Sequence, residues 1–150
     1  MIDTHAHIYL PDYSNDFSAM VDRAIDTGIR HILMPAINSD SVAQMEVITH
    51  LSSNKNNINL HPMIGLHPCE VMEQISIWGE KFWPRKLEGW LLEFAGLNQN
   101  VGIGETGLDY YWSMDSKEEQ MLSLDIHFEI AKSANKPIVL HNRESTQDLL

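Results

Sequence analysis

A single cysteine, Cys69, is all that 150 residues contain, so no disulfide can close within the chain, and a reducing compartment is the natural setting. No stretch reaches the run of about 18 apolar residues that a membrane-spanning helix needs, so no membrane association is expected. Positive charge is scarce: Lys and Arg number 10 against 21 Asp and Glu, a formal charge of −11. That balance is awkward for a nucleic-acid binder, which normally neutralises phosphates with a basic face. A solvated acidic surface accounts for most of it, and bound divalent cations would offset part of it locally. The sequence has no internal repeat, no low-complexity tract and no glycine-rich dinucleotide fingerprint; Gly102-Ile103-Gly104 falls inside a predicted strand, the wrong context for one. Asp3 stands where a secretory leader would carry basic residues, and a cytoplasmic protein is expected.

What the chain does have is a rhythm. Apolar strand-like runs at 1–8, 31–35, 60–66, 101–105 and 137–141 alternate with helical stretches. A helix is predicted over 16–27, with Phe17, Val21, Ala24 and Ile25 on one face and Gly28 at its stop. Asp40 can cap a second helix running to about Leu51, and the polar stretch 52–57 reads as a loop. Pro84 is expected to divide 69–100 into helices near 70–82 and 86–97, with Trp78, Phe82, Trp83, Trp90 and Phe94 in their core. The clearest helix is 117–135, with Met121, Leu124, Phe128 and Ala131 at helical spacing, and a last one begins near Arg143 or Glu144. Such alternation implies an α/β fold with a parallel sheet and right-handed crossovers, closed as a barrel or open and doubly wound.

Each predicted strand carries its unusual residue at its C-terminal end, the edge where parallel α/β folds build their sites. The first ends in Asp3-Thr4-His5-Ala6-His7, whose two imidazoles share one strand face. The third ends in His67, the fourth in Glu105 and the fifth in His141. His5, His7, Glu105 and His141 thus converge on one rim as candidate metal ligands. Three imidazoles and a carboxylate suit Zn or a related transition metal, and a glutamate between imidazole groups can bridge two ions. Two ions about 3.5–4 Å apart clamp an in-line displacement at phosphorus, and one of them lowers the pKa of bound water.

Asp3-Thr4-His5-Ala6-His7, Gly65-Leu66-His67-Pro68, the run from Gly102 to Tyr111 and His141-Asn142-Arg143 occur in order and together resemble the successive signatures of TatD-related deoxyribonucleases. The resemblance spans the whole chain. It implies a (β/α)8 TIM barrel, two divalent metal ions (Zn, Mg, Mn or similar) and DNA or another phosphodiester as substrate. By that resemblance His5 and His7 hold one ion, Glu105 bridges as the catalytic carboxylate, and His141 binds the second ion. A further His and an Asp are expected from later strands, the Asp partnering the nucleophilic water.

Around that set, His67 is a candidate substrate contact, with a turn-shaping role as its rival. Arg143 is a candidate bidentate phosphate donor or else a surface ion pair. Asp109 is a candidate orienter of a metal-bound histidine or part of a loop turn. Tyr110, Tyr111 and Trp112 could stack on a nucleobase or pack as a loop. His31, His50, His61 and His127 read as structural, and Met20, Met45 and Met121 as core filler.

A complete barrel has eight strands and about 250 residues. Five strands are legible here, so the chain is expected to be the N-terminal part, residues 1–150, of a single metal-dependent hydrolase barrel. A shortened chain, an incomplete sequence and a fragment stabilised by self-association all remain open. Two functional rivals stand beside the nuclease: an amidohydrolase-like hydrolase of a small ester, lactone or amide, and a non-catalytic fragment that binds a partner through its open edge.

Overall fold

The computed structural model describes residues 1–52 and 57–150; most of the expected polar loop, residues 53–56, lies outside the described residues. The elements follow in order as β1 (Ile2–Asp3), α1 (Phe17–Asp26), β2 (His31–Pro35), α2 (Asp40–Ser52), β3 (Asn59–Met63), α3 (Val71–Trp78), α4 (Trp83–Ala95), β4 (Ile103–Asp109), α5 (Lys117–Ala134), β5 (Ile138–Arg143) and α6 (Thr146–Leu149). Short 3₁₀ turns at Pro11–Tyr13 and Pro68–Glu70 follow β1 and β3.

All strand pairings are parallel: β1 with β2, β2 with β3, and β4 with β5. A bridge between Ile64 and Ile103 joins the two groups, aided by Val101 N–H donating to Pro62 O and Ile64 N–H to Gly102 O. The five strands therefore lie in sequence order, as the first five staves of a barrel do. Gly65 is needed at this seam, because a Cβ there would come within 2.5 Å of the Gly104 backbone.

Two apolar clusters cover the outer face. Ile32 and Met34 of β2 pack with Phe17 and Val21 of α1 and with Met45 and Ile48 of α2. Ile64, Leu66 and Ile103 pack with Trp83, Leu87 and Leu91 of α4 and Ile130 of α5. Trp78, Trp90 and Phe94 lie partly buried against this second cluster, as expected, whereas Phe82 is exposed.

Several elements depart from the sequence reading. The first strand is two residues long, not eight: Asp3 Oδ1 accepts the His5 N–H at 3.1 Å and takes that amide out of the ladder, which resumes only where Ala6 N–H reaches Leu33 O. Asp40 lies inside the first turn of α2, and Asn38 Oδ1 accepts the Ser41 N–H instead. The break between α3 and α4 comes at Gly79, with φ +86°, while Pro84 sits in the first turn of α4. β4 and β5 run on to Asp109 and Arg143 because they pair along that length, so Glu105 and His141 lie within strands rather than at their ends. The register shifts between Ile103 and Thr106, and Glu105 sits in that irregularity.

The buried stripe of α5 is rotated by about one position. It comprises Gln120, Ser123, Leu124, His127, Ile130 and Ala131, leaving Met121 and Phe128 exposed. Gln120 and His127 take buried positions here because each finds a partner. Gln120 Oε1 accepts the Asp109 N–H, and His127 donates to Ser123 O and accepts the Leu66 N–H. His127 is thus structural, as read. Among the described residues, no helix is long and apolar enough to cross a membrane.

Candidate metal centre

The parallel strands bring His5, His7, Glu105 and His141 to one point. Glu105 Oε2 lies 3.0 Å from His5 Nε2 and 3.3 Å from His7 Nε2. The other oxygen, Oε1, lies 3.1 Å from His141 Nδ1. His5 and His7 stand with their Nε2 atoms 3.1 Å apart, although they follow the strand instead of ending it. Two groups of ligand-type atoms result, each within 4.8 Å: His5, His7 and Glu105, and His67, Glu105 and His141.

Neighbouring donors and acceptors decide which nitrogen each ring turns inward. His7 Nδ1 lies 3.0 Å from Pro35 O, a pure acceptor, so the imidazole proton sits on Nδ1 and the Nε2 lone pair faces the carboxylate. His141 Nε2 lies 2.8 Å from Asp109 Oδ2, which leaves Nδ1 to face Glu105. His67 is the opposite case. Its Nδ1 accepts the Cys69 backbone N–H at 3.2 Å, so its proton sits on Nε2, 3.1 Å from His141 Nδ1. His67 therefore presents a donor to the site, not a lone pair.

The donor set tests well against a cation. A His7 lone pair facing a carboxylate oxygen at 3.3 Å is a contact between two acceptors, unfavourable unless a proton or a positive ion lies between them. Glu105 is only 7% exposed. Its burial raises its pKa, but the His141 and His7 rings against it, with His67 and His5 close by, outweigh that and hold it well below the usual carboxylate range. The Glu105 carboxylate, and then that of Asp109, raise the pKa of His141, against the opposing effect of its own burial. His67 is lowered by burial and by the neighbouring His141, which favours its neutral form.

Asp109 Oδ2 lies against His141 Nε2, and its other oxygen accepts the Tyr111 N–H at 3.0 Å, so it shapes the following turn as well. Arg143 stacks its guanidinium 3.5 Å over the Tyr111 ring and 5.6 Å from that of Trp112. No ion pair among the described residues holds it. Trp112 is 74% exposed, whereas Tyr110 is half-buried, so the loop is packed only at its start. Gly107 lies within β4, paired with His141, at φ +141°, where a Cβ would run into the His141 carbonyl oxygen.

Sequence reading missed Tyr9. Its hydroxyl is 3.0 Å from His7 Nδ1 and donates to Pro35 O at 2.7 Å. Two-residue alternation from His5 and His7 was the only signal that could have found it. The role of the Cys69 backbone N–H in setting His67 left no trace in the sequence.

The sequence pattern of the TatD related DNase family matches residues 2–150. The metal-dependent hydrolase YabD of Bacillus subtilis (strain 168), whose function is uncharacterised, is 26% identical over 151 residues, covering 100% of this chain and 53% of its own. The 3'-5' ssDNA/RNA exonuclease TatD of Shigella flexneri is 24% identical over 145 residues, covering 97% of this chain and 50% of its own. The crystal structure of YjjV, a TatD homolog from Escherichia coli K12, superimposes with a TM-score of 0.77 at 28% identity, over 99% of this chain and 53% of that one. The chain spans about half the length of the curated relatives it matches. With the strand order of a partial TIM barrel, a His/Glu centre of this make-up and a family pattern matched from end to end, the chain belongs to the TatD related DNase family.

Proposed function

We propose that these residues are the N-terminal part of a single-barrel hydrolase that uses two divalent ions to cleave phosphodiester bonds, and that its substrate is DNA attacked from a 3′ end. One observation carries the reading: the two oxygens of Glu105 face two different imidazole sets, at 3.0 Å on the His5 side and 3.1 Å on the His141 side. A carboxylate so placed suits a bridge between two cations. The Shigella flexneri relative, named as an exonuclease on single-stranded DNA and RNA, supports the choice of substrate.

His5, His7 and Glu105 Oε2 would hold one ion; Glu105 Oε1 and His141 Nδ1 would hold the other. Bound ions supply Lewis-acid polarisation of a phosphoryl oxygen and a water of lowered pKa. The chain's own residues do the rest. Asp109 keeps His141 in the tautomer that points Nδ1 inward. His67 offers its Nε2 proton to a phosphoryl oxygen. Arg143, held flat against Tyr111, offers a two-pronged donor at the rim, and the exposed Trp112 face can stack on a base. Glu105, kept ionised by its imidazole neighbours, neutralises part of the ions' charge. A cytoplasmic setting belongs to the same proposal, on the strength of the lone cysteine.

The formal charge of −11 favours a second reading, hydrolysis of a small ester, lactone or amide on the same scaffold. One experiment separates them. The whole protein, stripped by chelator and reloaded with Zn, Mn or Mg, is incubated with 3′-labelled single-stranded DNA. Metal-dependent release of mononucleotides is the expected outcome. A metal-loaded protein that leaves DNA intact but hydrolyses small esters or lactones would replace this reading with the second.

A further inference from the structure

Tyr9 belongs to no motif, yet His7 is built against it. Its side chain is buried, 4% exposed, as part of the first apolar cluster. The hydroxyl has a single proton; Pro35 O lies at 2.7 Å and His7 Nδ1 at 3.0 Å, and Ser41 and the Ile37 backbone also hydrogen-bond to it. Pro35 O can only accept and lies at the shorter distance, so the phenolic proton goes there. The hydroxyl oxygen then faces Nδ1 as an acceptor. Pro35 O is itself 3.0 Å from the same Nδ1. Both neighbours of that nitrogen therefore accept, and a proton on Nε2 would leave Nδ1 as a third acceptor among them. Tyr9 also ties the segment after β1 to the last residue of β2, across 26 positions of sequence.

We propose that Tyr9 is a positioning residue for the His5–His7 half of the site: its hydroxyl and the Pro35 carbonyl it engages together lock His7 as the Nδ1–H tautomer, with the Nε2 lone pair turned towards His5 and Glu105. The consequence for ion binding rests on the two-ion reading. The tautomer itself is a property of the chain alone. Partners of this kind around a ligating histidine are worth about 10- to 100-fold in metal affinity.

The test uses the whole chain and its Tyr9→Phe variant, which keeps the ring and removes the hydroxyl. Long-range ¹H–¹⁵N correlation on histidine-labelled, metal-free protein reads the His7 tautomer directly, and Zn²⁺ titration reads affinity. The wild type is expected to show His7 as Nδ1–H. In Tyr9→Phe the two tautomers should mix, and one ion should bind about tenfold more weakly, with little change in Tm. A purely structural role would lower Tm and leave the tautomer alone. Wild-type His7 found as Nε2–H overturns the inference without any variant, and so does a Tyr9→Phe protein with unchanged tautomer and affinity. A wild type that shows the expected tautomer, lost in Tyr9→Phe, yet takes up no Zn²⁺ would overturn the two-ion reading while leaving Tyr9 in its role.

Discussion

His141 rests its Nε2 against the Asp109 carboxylate at 2.8 Å, and this contact turns its Nδ1 towards Glu105. The register of β4 and β5 creates it, since Asp109 pairs with Arg143 and Gly107 with His141, which places the two side chains across adjacent strands. Replacing Asp109 by Asn keeps the shape but removes the charge and the fixed acceptor. Asp109→Asn should weaken binding of one ion by about 10- to 100-fold, read by calorimetric titration, with the other ion little affected.

Glu105 stands between both groups of candidate ligands, so its loss should be felt by both. Glu105→Gln is expected to reduce the ions retained after dialysis and to slow DNA hydrolysis by at least about 10²–10³-fold, given that the Lewis-acid contribution of such ions is several kcal/mol. Metal analysis beside a nuclease assay checks this. Undiminished ion content in the variant would remove Glu105 from the centre.

Arg143 is placed by stacking at 3.5 Å on Tyr111, a geometry lysine cannot copy. Arg143→Lys should raise KM for DNA by about tenfold, the worth of roughly one charge-assisted hydrogen bond, with a smaller effect on kcat. An unchanged KM would place the guanidinium away from the substrate.

Gly107→Ala should fail for backbone reasons. The residue has φ +141°, and the added methyl meets the His141 carbonyl. A drop in stability of more than about 4 kcal/mol, or failure to fold, is the expected result, seen as a lowered denaturation midpoint. A variant as stable as the wild type would mean that β5 sits further from β4 than described.

His127 gives the stability of the chain a pH dependence. Burial pushes its pKa from 6.5 down to about 4, against the opposing hydrogen bond to Ser123 O. In the unfolded chain the ring takes up a proton as pH falls through about 6.5, while the folded chain resists until about 4. Its contribution is therefore complete above that window and lost as pH falls through it, by up to about 1.4 kcal/mol per pH unit. Thermal melts between pH 7.5 and 4.5 should show the decline. His127→Gln, which retains a donor and an acceptor, should flatten it; an equally steep decline in the variant would assign the acid sensitivity to other groups.

Much of this was legible in one dimension. Periodicity and punctuation predicted five strands, and all five are present; β2 matches at both ends, from His31 to Pro35. The members of the cluster were legible too, since His5, His7, Glu105 and His141 do meet. The errors fall where local pattern competes with distant contacts. Met121 and Phe128 looked like core by spacing, but Gln120 and His127 are buried instead, because Asp109 and Leu66 supply their hydrogen bonds from elsewhere in the chain. Pro84 looked like a breaker yet starts a helix, since its missing N–H costs nothing in a first turn.

By itself, the sequence determined the alternation of strands and helices and the chemical identity of the groups gathered at the rim, because both are written in residue type and short-range spacing. Only the tertiary structure decided what each imidazole does there. Pro35 O, 28 residues from His7, and Asp109, 32 residues from His141, leave those two rings with lone pairs facing Glu105. The Cys69 N–H leaves His67 with a proton to give. A histidine has two nitrogens of nearly equal basicity, and which one keeps its proton is settled by the acceptor or donor that folding brings beside it.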